Sequence, residues 1–288
     1  MAEAKKSTDI GLGKAALICN MPAQRRLDFI AEGMPVLFES AKSLALASQA
    51  LEAFPREAEI LERQCSEECA KILILVDLVR CPPQKVAARV GPMMKWFYDH
   101  LARLIYAEAQ DWRPVTAAQL QEYVDGQRHS HYLEGDYGEY VVENWALFRR
   151  ESTLYADVFA DENGDVAWFG PSQGPMRLGR FLPSCFRVVD ALDAFGVFSR
   201  EGLKILAEVW GTHDVQGNVE WRLTRDLYGP LVERLSGAGL INERATDEHV
   251  RAIGDTWQLP MYNMDLSKIS VSLDTLKAQQ DALYPYEG

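Results

Sequence analysis

A chain of 288 residues, 48% apolar and 25% charged, has the length and composition to bury one large core or two small ones. Its formal charge of −12 and pI of about 5.0 argue against a protein that coats long stretches of nucleic acid, because that binding is driven by releasing counterions from many phosphates; a local basic pocket stays open. Five cysteines without CxxC spacing (Cys19, Cys65, Cys69, Cys81, Cys185), no signal peptide and no run of about 18 apolar residues lead us to expect a cytoplasmic protein with free thiols and no membrane partner.

Residues 1–22 carry no sustained period and read as a loosely held arm. Helical signals begin around Ala23. In GMPVLFESAKSLALASQALEAF (33–54), Val36, Leu37, Ala41, Leu44, Ala45 and Leu51 fall at helical spacing, with Pro35 acceptable near a start or as a kink. From Arg56 to Val79, Leu61, Cys65, Cys69, Ile72, Val76 and Val79 recur every three or four positions, and CPP at 81–83 ends that amphipathic helix. A third helix is expected over Pro92–Ala109 from Met93, Phe97, Leu101, Leu104, Ile105 and Ala109. Long helices joined by short proline turns favour an antiparallel bundle. Residues 116–125 read as a short helix, and YGEYVVENWALFRRE (137–151) is a mixed run compatible with helix. TLYADVFADENGDVAWFGP (153–171) is the clearest β element, its β-branched and aromatic residues flanking the turn signal DENGD. Two helices follow within 184–210, Ser199 capping the second. LYGPLVERLSGAGLI (227–241) looks like a helix closed by Gly237 and Gly239.

Four clusters carry possible chemistry. In SEECAKIL (66–73), Glu67 and Lys71 are spaced for a helix ion pair on a solvated face. Glu68 neighbours Cys65 and Ile72, so it points at the edge of the buried stripe, where a carboxylate is costly unless paired. In KWFYDHLAR (95–103), His100 lies three residues after Phe97 and four before Leu104, and Arg103 shares its face. Lys95, five positions earlier, stands about 140° round the helix. If this helix packs on the preceding one, Glu68 faces His100. Such a set suits RNA cleavage, with an imidazole to move the 2′-hydroxyl proton and cations to stabilise the charged phosphorane. GQRHSHYLEGD (126–136) offers Arg128, His129 and His131 as phosphate-contacting residues to go with Lys71. It has no third ligand at metal-site spacing, and we expect neither metal nor cofactor. RATDEH (244–249) has an arginine and a histidine with four residues between them and reads as surface. GxGxxG, GKS/GKT, GxSxG and HExxH motifs are absent from the sequence.

SEECAKIL, FYDH and RRESTLYADVFADENGDVAWFGP together resemble the AbiV family of bacterial abortive-infection proteins. That family shows a similar acid-acid-x-x-lysine helix, an aromatic-x-D-H segment and a later R-x-x-x-LY-x-D hairpin ending in W and P. The likeness covers about residues 24–210. It implies membership of the HEPN superfamily of helical bundles, which commonly dimerise and often act as metal-independent ribonucleases in phage defence. It therefore implies a HEPN-like antiparallel bundle over 23–212 with an inserted β-hairpin, a mixed segment over 213–288, a homodimer, and RNA or a translation component as target, with a phage-encoded protein as a further partner. It also implies Glu68, Lys95, His100 and Arg103 as catalytic residues. Lys95 stands where the family places an arginine, which keeps the charge and loses the bidentate fork.

Two other readings compete. One is a non-catalytic helical protein that blocks a phage or host component, with His100 merely packed. The other is a DNA-binding regulator in which LVERLSGAGLI and RATDEHVRAIGDTWQLP form a helix and wing, a reading the acidic balance weakens.

Overall fold

The computed structural model describes residues 17–134, 140–160, 166–172 and 182–283. The fold is mainly helical, with two small antiparallel sheets of two strands each. Residues 1–16 of the expected arm, the DENGD turn at 161–165 and the end of GQRHSHYLEGD lie outside the described residues.

Helix α1 spans Ala23–Ala50 and runs on through Pro35; α2 spans Pro55–Arg80, close to the sequence expectation. Pro55 opens α2, where its missing N–H costs nothing. Along its second half, from Cys69 to Arg80, α2 is buried on nearly every face, as expected of a helix enclosed by others. It is the axis of the molecule, packed by α1, by α3 (Pro83–Tyr98) and α4 (His100–Glu108), and by α7 (Ser184–Ala194) and α8 (Arg200–Trp210). The expected helix over Pro92–Ala109 is thus two helices. Asp99 breaks it: its backbone is extended (φ −88°, ψ 127°), and its carboxylate accepts the Ala102 N–H at 2.8 Å as the N-cap of α4.

After α5 (Ala117–Gln127) the chain makes an insert. Strands β1 (His131–Glu134) and β2 (Tyr140–Glu143) pair with His131 opposite Glu143; helix α6 (Trp145–Leu154) follows; β3 (Asp157–Ala160) and β4 (Val166–Phe169) then pair with Val158 opposite Trp168. The 153–171 hairpin is where the sequence placed it. The described part of the mixed run, 140–151, is instead a strand followed by a helix, divided at Asn144, whose side-chain oxygen caps α6. Ser199 caps α8, its Oγ accepting the Gly202 N–H at 3.0 Å. Helix α9 (Arg222–Gly237) is closed as expected, with Gly239 just beyond it at φ 67°, a conformation that favours glycine.

The segment beyond residue 212 shares the core of the helices before it. Short helix α10 (Asp247–Arg251) and one π-turn (Ala252–Thr256) lead into an extended strap, in which Trp257, Leu259, Met261, Tyr262, Met264 and Leu266 are buried in that core. The strap is tied to α2 by a buried polar network. The Asp77 carboxylate accepts from Arg80, from the Tyr106 hydroxyl at 2.6 Å and from the Met261 N–H at 2.7 Å, while Arg80 donates to the Gln258 carbonyl at 3.0 Å. The Arg80 guanidinium packs on both Trp210 and Trp257, 4.7 and 4.2 Å from their ring centroids. Burial, followed by the charge of Asp77, holds the Tyr106 hydroxyl well above its ordinary pKa, so it stays a donor. Helix α11 (Leu273–Leu283) ends the described chain. Among the described residues, 213–283 form no β-strand, so the helix-and-wing reading has no wing there. No helix among the described residues is long and apolar enough to cross a membrane.

Candidate functional site

Three helices meet at one carboxylate. Glu67 projects from α2 with its side chain 2% exposed; His100 and Arg103 come from the first turn of α4, and Arg150 from α6. Asp99 matters here, because ending α3 and restarting the helix at His100 turns the first residues of α4 toward α2. The Glu67 Oε2 atom lies 2.7 Å from His100 Nδ1 and 3.0 Å from an Arg103 terminal nitrogen, and Arg150 Nε donates to Oε1 at 2.9 Å. Arg103 is further fixed by donating from Nε to the Asp99 carbonyl at 3.2 Å.

The network decides the imidazole tautomer. Arg103 also approaches His100 Nδ1, at 2.9 Å. If Nδ1 were the bare nitrogen it would accept from Arg103 but set its lone pair against a carboxylate oxygen 2.7 Å away. With the proton on Nδ1, Oε2 accepts from both neighbours, and the arginine-to-imidazole approach follows from two donors converging on one oxygen. In the neutral ring Nε2 is then the basic nitrogen. The His100 side chain is 50% exposed, against 9% for Arg103 and 14% for Arg150, so the imidazole is the part of the cluster that solvent and a ligand reach. Two guanidiniums on one carboxylate leave one positive charge in excess, within a chain of net charge −12.

The carboxylate under His100 is therefore Glu67 and not Glu68. Glu68 binds Lys71 at 2.5 Å along the same helix, and Lys71 lies over the Phe97 ring at 5.8 Å, so the two acids exchange the roles the sequence suggested. Lys95 is exposed on α3, across the Asp99 break, and pairs with no described carboxylate; the angular argument that set it beside His100 assumed one continuous helix. Arg128 is committed to Asp125 and Asp265, each at 2.8 Å, and to the Ser267 carbonyl. His129 packs beside the Tyr132 ring and His131 Nδ1 meets Ser130 Oγ at 3.1 Å. Lys71, Arg128, His129 and His131 thus have protein partners and do not join the His100 cluster. In RATDEH, Arg244 binds Asp190 and Asp193 while His249 Nε2 meets Asp190 at 3.1 Å, a clasp of α10 onto α7. Among the described residues no three His, Cys, Asp or Glu side chains gather as a metal-binding group, and the five cysteines are free thiols.

Arg150 is the member that residue-by-residue reading missed, although it opens the R-x-x-x-LY-x-D motif. Glu108 of α4 lines a cavity of about 70 Å³ with Arg63, Ser66 and Cys185, and Arg149, next to Arg150, lies near enough for its charge to act on that carboxyl. Burial raises the Glu108 carboxyl above its ordinary pKa, with Arg149 and Arg63 opposing the rise. Comparison with protein-family models, with curated proteins and with solved structures found no match.

Proposed function

We propose that the chain is a HEPN-type, metal-independent ribonuclease of the AbiV kind, a cytoplasmic anti-phage effector that acts on RNA as a homodimer. One observation carries the reading: a half-exposed imidazole whose Nδ1–H is held by a buried carboxylate, with two arginines on the same carboxylate. The order of the SEECAKIL, FYDH and RRESTLYAD motifs supports it. His100 Nε2 takes the proton of a 2′-hydroxyl as the 2′-oxygen attacks the adjacent phosphorus. Glu67 keeps Nε2 facing the substrate and balances the imidazolium charge that results. Arg103 and Arg150, held on Glu67 behind the imidazole, leave an excess positive charge that stabilises the phosphorane as its negative charge builds. His100 of a two-fold related copy donates the proton to the departing 5′-oxygen. The products are a 2′,3′-cyclic phosphate and a 5′-hydroxyl.

The test is cleavage of single-stranded RNA by purified protein in the presence of EDTA. His100→Ala should lower the rate by roughly 10²- to 10⁴-fold, the usual worth of a general acid or base. Wild-type protein that leaves RNA intact, or a variant as active as wild type, refutes the reading.

A further inference from the structure

An aromatic pair that the proposed chemistry leaves idle adjoins His100. Helix α3 buries Met93, Met94 and Trp96 in the core, while its last residue, Tyr98, stays outside at 40% exposure. The exposed ring is nonetheless held. It meets the half-buried Phe97 edge to face, with 5.1 Å between centroids, and the Lys71 ammonium braces Phe97 from 5.8 Å.

Position gives this ring a use. Only Asp99 separates Tyr98 from His100, so their Cα atoms lie within about 7 Å of each other. In the proposed reaction His100 takes the proton of a 2′-hydroxyl, and the neighbouring ribose carbon, C1′, carries the base. A flat ring beside the imidazole is therefore within reach of the base on the attacking nucleotide. Charge agrees with that placement. Lys95, three residues before Tyr98 and so its neighbour on the helix surface, is exposed and pairs with no described carboxylate. Arg103 and Arg150 leave one positive charge in excess over Glu67, and Asp99, the acid between Tyr98 and His100, is committed to the Ala102 N–H. This corner draws phosphates although the chain as a whole is acidic. A single exposed ring among cations suits a base on a phosphate chain, whereas a protein partner would ask for a wider apolar patch. We infer that Tyr98 is the stacking platform for the base on the 5′ side of the cut, with Lys95 holding a neighbouring phosphate. Paired bases stack on one another inside a duplex, so a base that stacks on Tyr98 must be unpaired. The substrate class is thus RNA in loops or single strands, with little preference among bases, because every base has a π-face. This inference rests on the proposed cleavage by His100.

The experiment has a cleavage arm and a binding arm, both with the full chain. The first uses a DNA strand carrying one ribonucleotide, which fixes the cut, made with and without the base on that ribose. For the wild-type protein, removing the base should raise KM about tenfold or more and leave kcat little changed. Tyr98→Ser should raise KM on the intact strand by the same factor and lose nothing further on the abasic one, with circular dichroism unchanged; Tyr98→Phe should match wild type. The second arm uses a deoxycytidine strand with 2-aminopurine at every third position, which cannot be cut and loses fluorescence when its bases stack. Wild type and Tyr98→Phe should quench it, Tyr98→Ser should quench it far less, and annealing the strand into a duplex should abolish the effect. If the ribonucleotide strand is cut but neither base removal nor Tyr98→Ser changes KM, the inference is overturned. If no strand is cut, the cleavage reading falls and the second arm decides alone: quenching that depends on Tyr98 upholds the stacking site, and quenching that is absent, or unaltered by Tyr98→Ser, overturns it.

Discussion

The carboxylate of Glu67 is nearly out of water and receives three donors, so its removal does more than delete a hydrogen bond. It leaves two arginines, each less than 15% exposed, without their counter-charge. Breaking a buried pair from one side costs about 3 kcal/mol or more, whereas a partly exposed pair within one helix contributes about 1 kcal/mol or less. Glu67→Ala should therefore lower the urea midpoint far more than Glu68→Ala; equal losses would show that the two acids have been assigned the wrong roles. Glu108 provides a pH-dependent counterpart. Its folded pKa is raised by burial, so the folded state holds the proton more tightly than the unfolded one, and stability falls as pH rises from the unfolded value through the folded one. Glu108→Gln removes that loss. Its melting temperature should exceed wild type at pH 7, with the gain shrinking toward pH 4, and a gain equal at both pH values contradicts the burial argument. His100 and Arg103 were legible in the sequence because they are local to one helix turn. Which of Glu67 and Glu68 lies beneath them was not. Successive residues are about 100° apart on a helix, and the choice was made by Arg150, 83 positions further along.

At the level of elements, α2 grips α6 at two places. Arg150 reaches Glu67, and near the start of α2 Arg56 donates to the Thr153 and Leu154 carbonyls at 2.9 and 3.0 Å, which satisfies the end of α6. Arg56→Ala should cost about 1–2 kcal/mol and speed amide exchange within α6. It should also lower RNA cleavage, by loosening Arg150, more than it changes RNA binding. Unaltered exchange in α6 would show that Arg56 does not hold it. The long helices were readable because their apolar residues repeat over many turns: α2 was found to within a residue or so at each end. The break at Asp99 was hidden, since Phe97, Leu101 and Leu104 keep the helical period across it, and only the cap geometry reveals that the helix restarts. Strand β2 was hidden for a different reason. Its four residues acquire an extended shape from pairing with β1, and a run that short carries no period of its own.

Across the whole molecule, one core runs from α1 to the strap at 257–266. The boundary expected near residue 212 followed from where the family likeness ends, and the apolar residues of the strap, which follow neither a helical nor a strand period, gave no sign that they join the core. They are buried through the Asp77 and Arg80 network and not through a regular element of their own. The strap thus braces the C-terminal half of α2, while the proposed chemistry sits at its middle, where α4 and α6 converge on Glu67. The cleavage proposal makes one demand that packing alone does not: the 2′-hydroxyl of the RNA must be the nucleophile. Product analysis with matched RNA and DNA oligonucleotides tests this directly. The account predicts RNA fragments ending in 2′,3′-cyclic phosphate, no cleavage where a single 2′-deoxy residue replaces the nucleotide at the cut, and loss of both fragments with His100→Ala. Fragments ending in 3′-hydroxyl, or cleavage at a 2′-deoxy position, would contradict it.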